Sequence, residues 1–255
     1  MQIGIFGDSY STVNQRFVNK RPDGKCWAQL LSDQYSVKNY SVSGTGLYYS
    51  YREFLKHQHN FDCIIFTASL NQRLYLENLP IKDPTSKHIN LELLTDRNQA
   101  HEWLNYVKTT DDSVNWDDVF DSVQGYFRYV YNDDQNTTAE RLLLQDIQTK
   151  NRVLLMPCFE STLNAHREIF KNFKISLSNI TFLEDARCNL TQQKIRKIRK
   201  QLGDKVEDTR HCHLTDENNI MMYNKIVNWI ENNEFSLQQL DILNPQDLDL
   251  ERYLK

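Results

Sequence analysis

The chain has 255 residues, 40% of them hydrophobic and 25% charged, with a net charge of −4. That length makes one large domain or two small ones with a substantial core, and the mild acidity argues against a mainly electrostatic nucleic-acid binder. No apolar run nears the roughly 18 residues of a membrane-spanning helix, and the first residues lack the basic-then-apolar pattern of an export leader, so none is expected.

The first predicted element is a strand over residues 2–7, in which Ile3, Gly4, Ile5 and Phe6 run into Gly7-Asp8-Ser9. Residues 25–35 predict a helix, with Trp27, Leu30 and Leu31 on one face. A second strand is expected over 37–42, closed by Ser43-Gly44-Thr45-Gly46, and a helix from Tyr48 to His57. The apolar run Cys63-Ile64-Ile65-Phe66-Thr67 reads as a strand buried on both faces.

Residues 80–150 break the alternation. Helical patterns there carry many aromatics and no clear strand, so a helical insertion is expected, as core padding or as a lid. Arg152–Met156, stopped by Pro157, is the next strand, and 180–183 a shorter candidate. From Leu214 a helix opens with Thr215 as N-cap; its expected apolar face holds Ile220, Met221, Ile226, Val227 and Ile230, with Trp229 nearby. Residues 231–255 form an acidic extension with scattered leucines.

Strands alternating with helices predict an α/β fold with a mostly parallel central sheet covered on both faces. In such sheets ligands bind beyond the carboxyl ends of the strands. Gly7-Asp8-Ser9, Ser43–Gly46 and the residues after Thr67 all fall there. Glycine is scarce, with seven in the chain. Gly4, Gly7, Gly44 and Gly46 therefore mark the early strand and loops as places where the backbone needs positive φ or close approach. The five cysteines, at 26, 63, 158, 188 and 212, lack metal-type spacing. An odd count with no export signal leads to an expectation of reduced thiols and a cytoplasmic location; a phage or virion protein would read the same way.

A serine at a strand end becomes a nucleophile only with a base, an orienting group and donors for an oxyanion. The candidate base lies near the other end of the chain, in Asp208-Thr209-Arg210-His211-Cys212-His213-Leu214-Thr215. Candidate donors are the backbone N–H groups of Ser9 and Gly44 and the side-chain amide of Asn71. Asp8, Asp208, His211 and His213 also read as metal ligands for a phosphoesterase, a reading that needs more ligands after the middle strands. The basic run from Lys194 to Lys200 carries Ile195 and Ile198 at helical spacing, so it reads as a solvated helix face.

Taken in order, these blocks resemble the SGNH hydrolases, also called the GDSL esterase/lipase family. Gly7-Asp8-Ser9 resembles the nucleophile block, Val42-Ser43-Gly44-Thr45-Gly46 the glycine block, Phe61–Thr67 leading to Asn71 the asparagine block, and Asp208 to Thr215 the histidine block. Trp27 and Asn39 suit the same pattern. The resemblance covers roughly residues 1–75 and 150–230. Ser69-Leu70-Asn71-Gln72 departs from it, because a serine stands where the family has glycine.

The resemblance implies a three-layer α/β/α, flavodoxin-like sandwich over 1–230 with the 80–150 insertion. It also implies ester hydrolysis or acyl transfer through an acyl-Ser9 intermediate, with no metal or cofactor. In that reading His213 is the base, Asp208 orients it, and His211 is the alternative base. Ser9, Gly44 and Asn71 hold the oxyanion, with Asp8 supporting. The expected partner is a small-molecule or glycan ester, such as a short acyl ester or O-acetylated carbohydrate, with no nucleic acid and no membrane span. The competing expectation is an inactive binding or virion structural module that keeps the fold.

Overall fold

The computed structural model describes residues 1–13, 25–69, 73–81, 87–90, 114–150, 152–178, 214 and 216–237. Strand β1 (Gln2–Phe6) buries Ile3, Ile5 and Phe6 completely. Helix α1 (Trp27–Gln34) leads to β2 (Ser36–Asn39), and α2 (Leu47–His57) leads to β3 (Cys63–Ala68). All six residues of β3 are buried, as its unbroken apolar run requires.

Two three-residue strands follow, β4 (Arg73–Tyr75) and β5 (His88–Asn90), then helices α3 (Trp116–Tyr129) and α4 (Asp133–Thr149). Strand β6 (Arg152–Pro157), the short helix α5 (Glu160–Ala165) and helix α6 (Asp216–Asn232) follow, and a 3-10 turn (Gln58–Asn60) joins α2 to β3.

The central sheet has four strands in the order β2-β1-β3-β6, every pair parallel. From β1 the chain steps to β2 on one side; from β2 it crosses back to β3 on the other. Right-handed crossovers then place α1 and α2 on opposite faces. The packing agrees. Helix α1 lies with α6, joined by Trp27 N–H to Asn219 Oδ1 and by the Tyr223 hydroxyl to Gln34 Oε1. Helix α2 lies with α4, joined by the Tyr51 hydroxyl to Asp146 Oδ2. The result is a layered α/β fold whose core includes Phe6, Phe54, Phe66, Leu144, Met222 and Ile226. No helix among the described residues is long and apolar enough to cross a membrane.

Several elements differ from the sequence reading. The β2 ladder stops at Asn39, three residues short of the expected end, yet Tyr40 N–H and Val42 N–H still donate to the carbonyls of Ile5 and Gly7. Strand β5 falls inside 80–150, where no strand was expected; three residues are too few to show a period of two. Helix α4 sends Leu144 and Ile147 into the main core.

On α6 the buried stripe is Met222, Ile226, Trp229 and Ile230, while Ile220 is 52% exposed. The inward position one turn before Met222 is taken by Asn219, whose amide ties α6 to Trp27 and to the carbonyl of Leu214. That polar clamp turns Ile220 outward. The candidate strand at 180–183, the basic run from Lys194 to Lys200, Thr215 and residues 238–255 lie outside the described residues.

Candidate active site

The winding of the sheet reverses between β1 and β3, because the chain leaves β1 toward one edge and β3 toward the other. In doubly wound sheets the crevice opens at this reversal, beyond the strand ends. Gly7-Asp8-Ser9 leaves β1 there, and Thr67, Ala68 and Ser69 end β3 beside it.

Gly7 has φ +152°, and a Cβ at this position would stand 1.8 Å from Thr67 Oγ1. Only glycine lets the chain turn this close to β3. The turn is then locked through Asp8. The Asp8 carbonyl accepts from the N–H groups of Ser11 and Thr12 at 3.1 and 3.0 Å. Its side chain is fully buried: Oδ1 accepts from Tyr10 N–H at 3.1 Å and from the Cys158 thiol at 3.4 Å. Oδ2 lies 3.6 Å from Arg73 Nη1. Burial, and then the Asp8 carboxylate, push the Cys158 thiol well above its usual range. The sulfur therefore stays protonated and donates to the carboxylate rather than competing with it for charge.

The two serines of this loop have different environments. Ser11 is fully buried, with Oγ 2.8 Å from Ser41 Oγ and 2.7 Å from Thr67 Oγ1. Its carbonyl accepts from Asn39 Nδ2 at 2.7 Å. Ser11 is thus spent on stitching β1, β2 and β3 together. Ser9 is half-buried, and its hydroxyl makes no hydrogen bond among the described residues.

The glycine loop lies alongside. Gly44 has φ +80°, and Thr45 Oγ1 donates to the Val42 carbonyl at 2.7 Å. The Thr45 carbonyl in turn accepts from Arg73 Nη1 at 2.9 Å and from Ser69 Oγ at 3.3 Å. The N–H groups of Ser9 and Gly44 donate to no described residue.

A polar route also links this loop to the start of α6. Trp27 Nε1 donates to the Tyr10 carbonyl at 3.0 Å, and Trp27 N–H donates to Asn219 Oδ1, 192 positions away. Asn219 Nδ2 then donates to the Leu214 carbonyl at 3.1 Å. Leu214 is fully buried.

Of the residues singled out from sequence, the structure brings together Asp8, Ser9 and Gly44, with Trp27 and Asn39 supporting them. Asn71, Asp208, His211 and His213 lie outside the described residues. Sequence reasoning missed Arg73, Cys158, Thr67 and Asn219 as members of the surrounding network. Arg73 is two positions after Asn71, just past the asparagine block, and only that nearness pointed toward it. Among the described residues no group of three or more His, Cys, Asp or Glu side chains gathers as a metal site.

A scan against models of known protein families finds no match, and neither does a search of curated proteins.

Proposed function

We propose that the protein is a serine ester hydrolase or acyltransferase of the SGNH type, acting through an acyl-Ser9 intermediate. One observation carries the reading. At the winding reversal of a parallel sheet, a loop braced by buried polar groups holds up a single serine whose hydroxyl is committed to no described neighbour. Its structural counterpart, Ser11, absorbs the bracing instead.

In this mechanism Ser9 Oγ attacks the ester carbonyl while His213 takes its proton, with Asp208 holding the imidazole in the productive tautomer. His211 is the alternative base. Negative charge develops on the carbonyl oxygen and is met by the N–H groups of Ser9 and Gly44 and by the Asn71 amide. Collapse of the tetrahedral intermediate expels the alcohol, which receives the proton from the imidazolium. Water, or another hydroxyl acceptor, then attacks the acyl-enzyme by the reverse sequence.

The hydrogen-bonded route from Tyr10 through Trp27 and Asn219 to Leu214 supports this assignment. His213 is one peptide bond from Leu214. The substrate class fitting this chemistry is a short acyl ester or an O-acetylated carbohydrate.

The test is turnover of a panel of p-nitrophenyl esters and acetylated glycans. Wild type is expected to hydrolyse at least one member, Ser9→Ala and His213→Ala to lose that activity by orders of magnitude, and His211→Ala to keep it. Activity kept in His213→Ala and lost in His211→Ala would move the base to His211. Wild-type rates no higher than the uncatalysed background across the panel would leave a binding module without turnover, and equal rates above background in wild type and Ser9→Ala would remove Ser9 as nucleophile.

A further inference from the structure

The β4–β5 ribbon packs across the glycine loop. A Cβ on Gly46 would stand 3.0 Å from the Arg73 carbonyl oxygen and 3.1 Å from Arg73 Cβ. A side chain there would push the ribbon back by a few tenths of an ångström, so glycine lets it settle this closely. The ribbon is held against α2 from two directions. The His88 ring packs against Tyr75 and Tyr49, with centroids 5.0 and 5.6 Å apart. Arg52 Nη2 pairs with Glu77 Oε1 at 2.6 Å.

This bracing fixes the backbone from which Arg73 projects. Its side chain is 17% exposed, and the guanidinium donates through Nη1 to the Thr45 carbonyl at 2.9 Å and faces Asp8 Oδ2 at 3.6 Å. One cation thus touches both loops that, in the ester-hydrolase reading, supply the backbone donors to the oxyanion. Asp8 immediately precedes Ser9, and Thr45 immediately follows Gly44.

We infer that Arg73 is a positioning residue: it sets the distance between the Ser9 and Gly44 N–H groups by clamping the Asp8 carboxylate to the Thr45 carbonyl. This inference rests on the ester-hydrolase reading. Arg73 need not touch the substrate. Its removal leaves a fully buried carboxylate beside the nucleophile without this cation, and the loops lose their shared anchor. Backbone donors must lie about 3 Å from the oxyanion to act, so a displacement on the order of 1 Å costs about 100-fold in rate.

The experiment compares Arg73→Met and Arg73→Lys with wild type on p-nitrophenyl acetate, a neutral ester with no carboxylate or phosphate to pair with a guanidinium. Arg73→Met is expected to lower kcat about 100-fold with KM within about two-fold, and to slow fluorophosphonate capture of Ser9 in parallel. Arg73→Lys keeps the charge but not the planar fork. It is expected to lose about ten-fold in kcat, and it carries the test if Arg73→Met does not fold. Free guanidinium at low millimolar concentration should recover part of the activity of Arg73→Ala, whereas methylammonium should not.

An unchanged kcat in both variants, or a loss confined to KM, overturns the positioning role while leaving the esterase reading intact. Absence of Ser9-dependent turnover and labelling in the wild type overturns both.

Discussion

Two arginines mark the two ends of the central sheet, and they do opposite work. At the amino end of β6, Arg152 Nη2 donates to the carbonyls of Trp229 and Ile230 at 2.6 and 2.5 Å, and its guanidinium lies 5.1 Å from the centre of the Trp229 ring. Those carbonyls belong to the last turn of α6, where orphan acceptors gather; the Trp229 carbonyl also accepts from Asn233 N–H at 2.9 Å. Arg152 therefore welds a helix terminus to the sheet. At the carboxyl end, Arg73 meets a buried carboxylate and a loop carbonyl. The amino end satisfies its polar groups with helix-end carbonyls. The carboxyl end gathers polar groups around a turn whose serine hydroxyl is left uncommitted among the described residues. The first arrangement contributes to stability; the second, in the proposed reading, is the one that serves chemistry.

The comparison predicts different consequences at each end, beginning with the largest. Ser9→Ala should lower kcat/KM by about 10⁴-fold or more, as loss of a nucleophile does, with a denaturation midpoint close to wild type. A collapse in stability instead would make Ser9 a structural residue like Ser11. Gly7→Ala should cost about 3 kcal/mol or more in urea unfolding, because the new Cβ meets Thr67 Oγ1 at a positive φ. A midpoint unchanged from wild type would contradict the tight approach of β1 to β3.

Arg152→Ala should cost about 2 kcal/mol of stability, through two lost charge-assisted hydrogen bonds and a lost ring contact. Activity per folded molecule should be unchanged. A fall in kcat without a fall in stability would erase the distinction between the two ends.

The smallest effect concerns the thiols, one at each end. Burial pushes Cys63, at the start of β3, from the ordinary 9.0 up to about 11, and burial also pushes Cys158, beside Asp8, well above its ordinary value. Both are protonated in the folded protein at a pH where the unfolded chain has already lost its thiol protons. The folded state then binds more protons, so stability is intact below about pH 8.5 and falls as pH rises above it. For Cys63 the loss runs up to about pH 11. The expected slope is on the order of 1 kcal/mol per pH unit for each thiol. Urea midpoints between pH 8 and 10 check this: Cys63→Ser and Cys158→Ser should each flatten the decline, and an unaltered slope in both would refute it.

The strands were legible where they are long and apolar. β1, β3 and β6 announce themselves as runs such as Cys63–Thr67, since a strand covered on both faces needs no polar positions. The three-residue strands of the ribbon have no such signature, and their pairing depends on contacts with α2 and the glycine loop. Ile220 was misassigned because periodicity counts apolar residues. It cannot register that Asn219 is held inward by hydrogen bonds to Trp27 and Leu214.

In the site, Gly7-Asp8-Ser9 and Gly44 were legible as strand-end residues with special backbone needs. The role of Asp8 was only half legible. Its partner Cys158 lies 150 positions away, and nothing local to either residue signals the meeting. Arg73 reaches its partners only because a ribbon folds back over Gly46.

The most direct measurement of the central claim is to treat the folded protein with a fluorophosphonate and map the adduct by peptide mass spectrometry. Ser9→Ala, Ser11→Ala and His213→Ala are run alongside. The account predicts a single adduct on Ser9, retained in folded Ser11→Ala and lost in the other two variants. No adduct in the wild type, or one on Ser11, would contradict it.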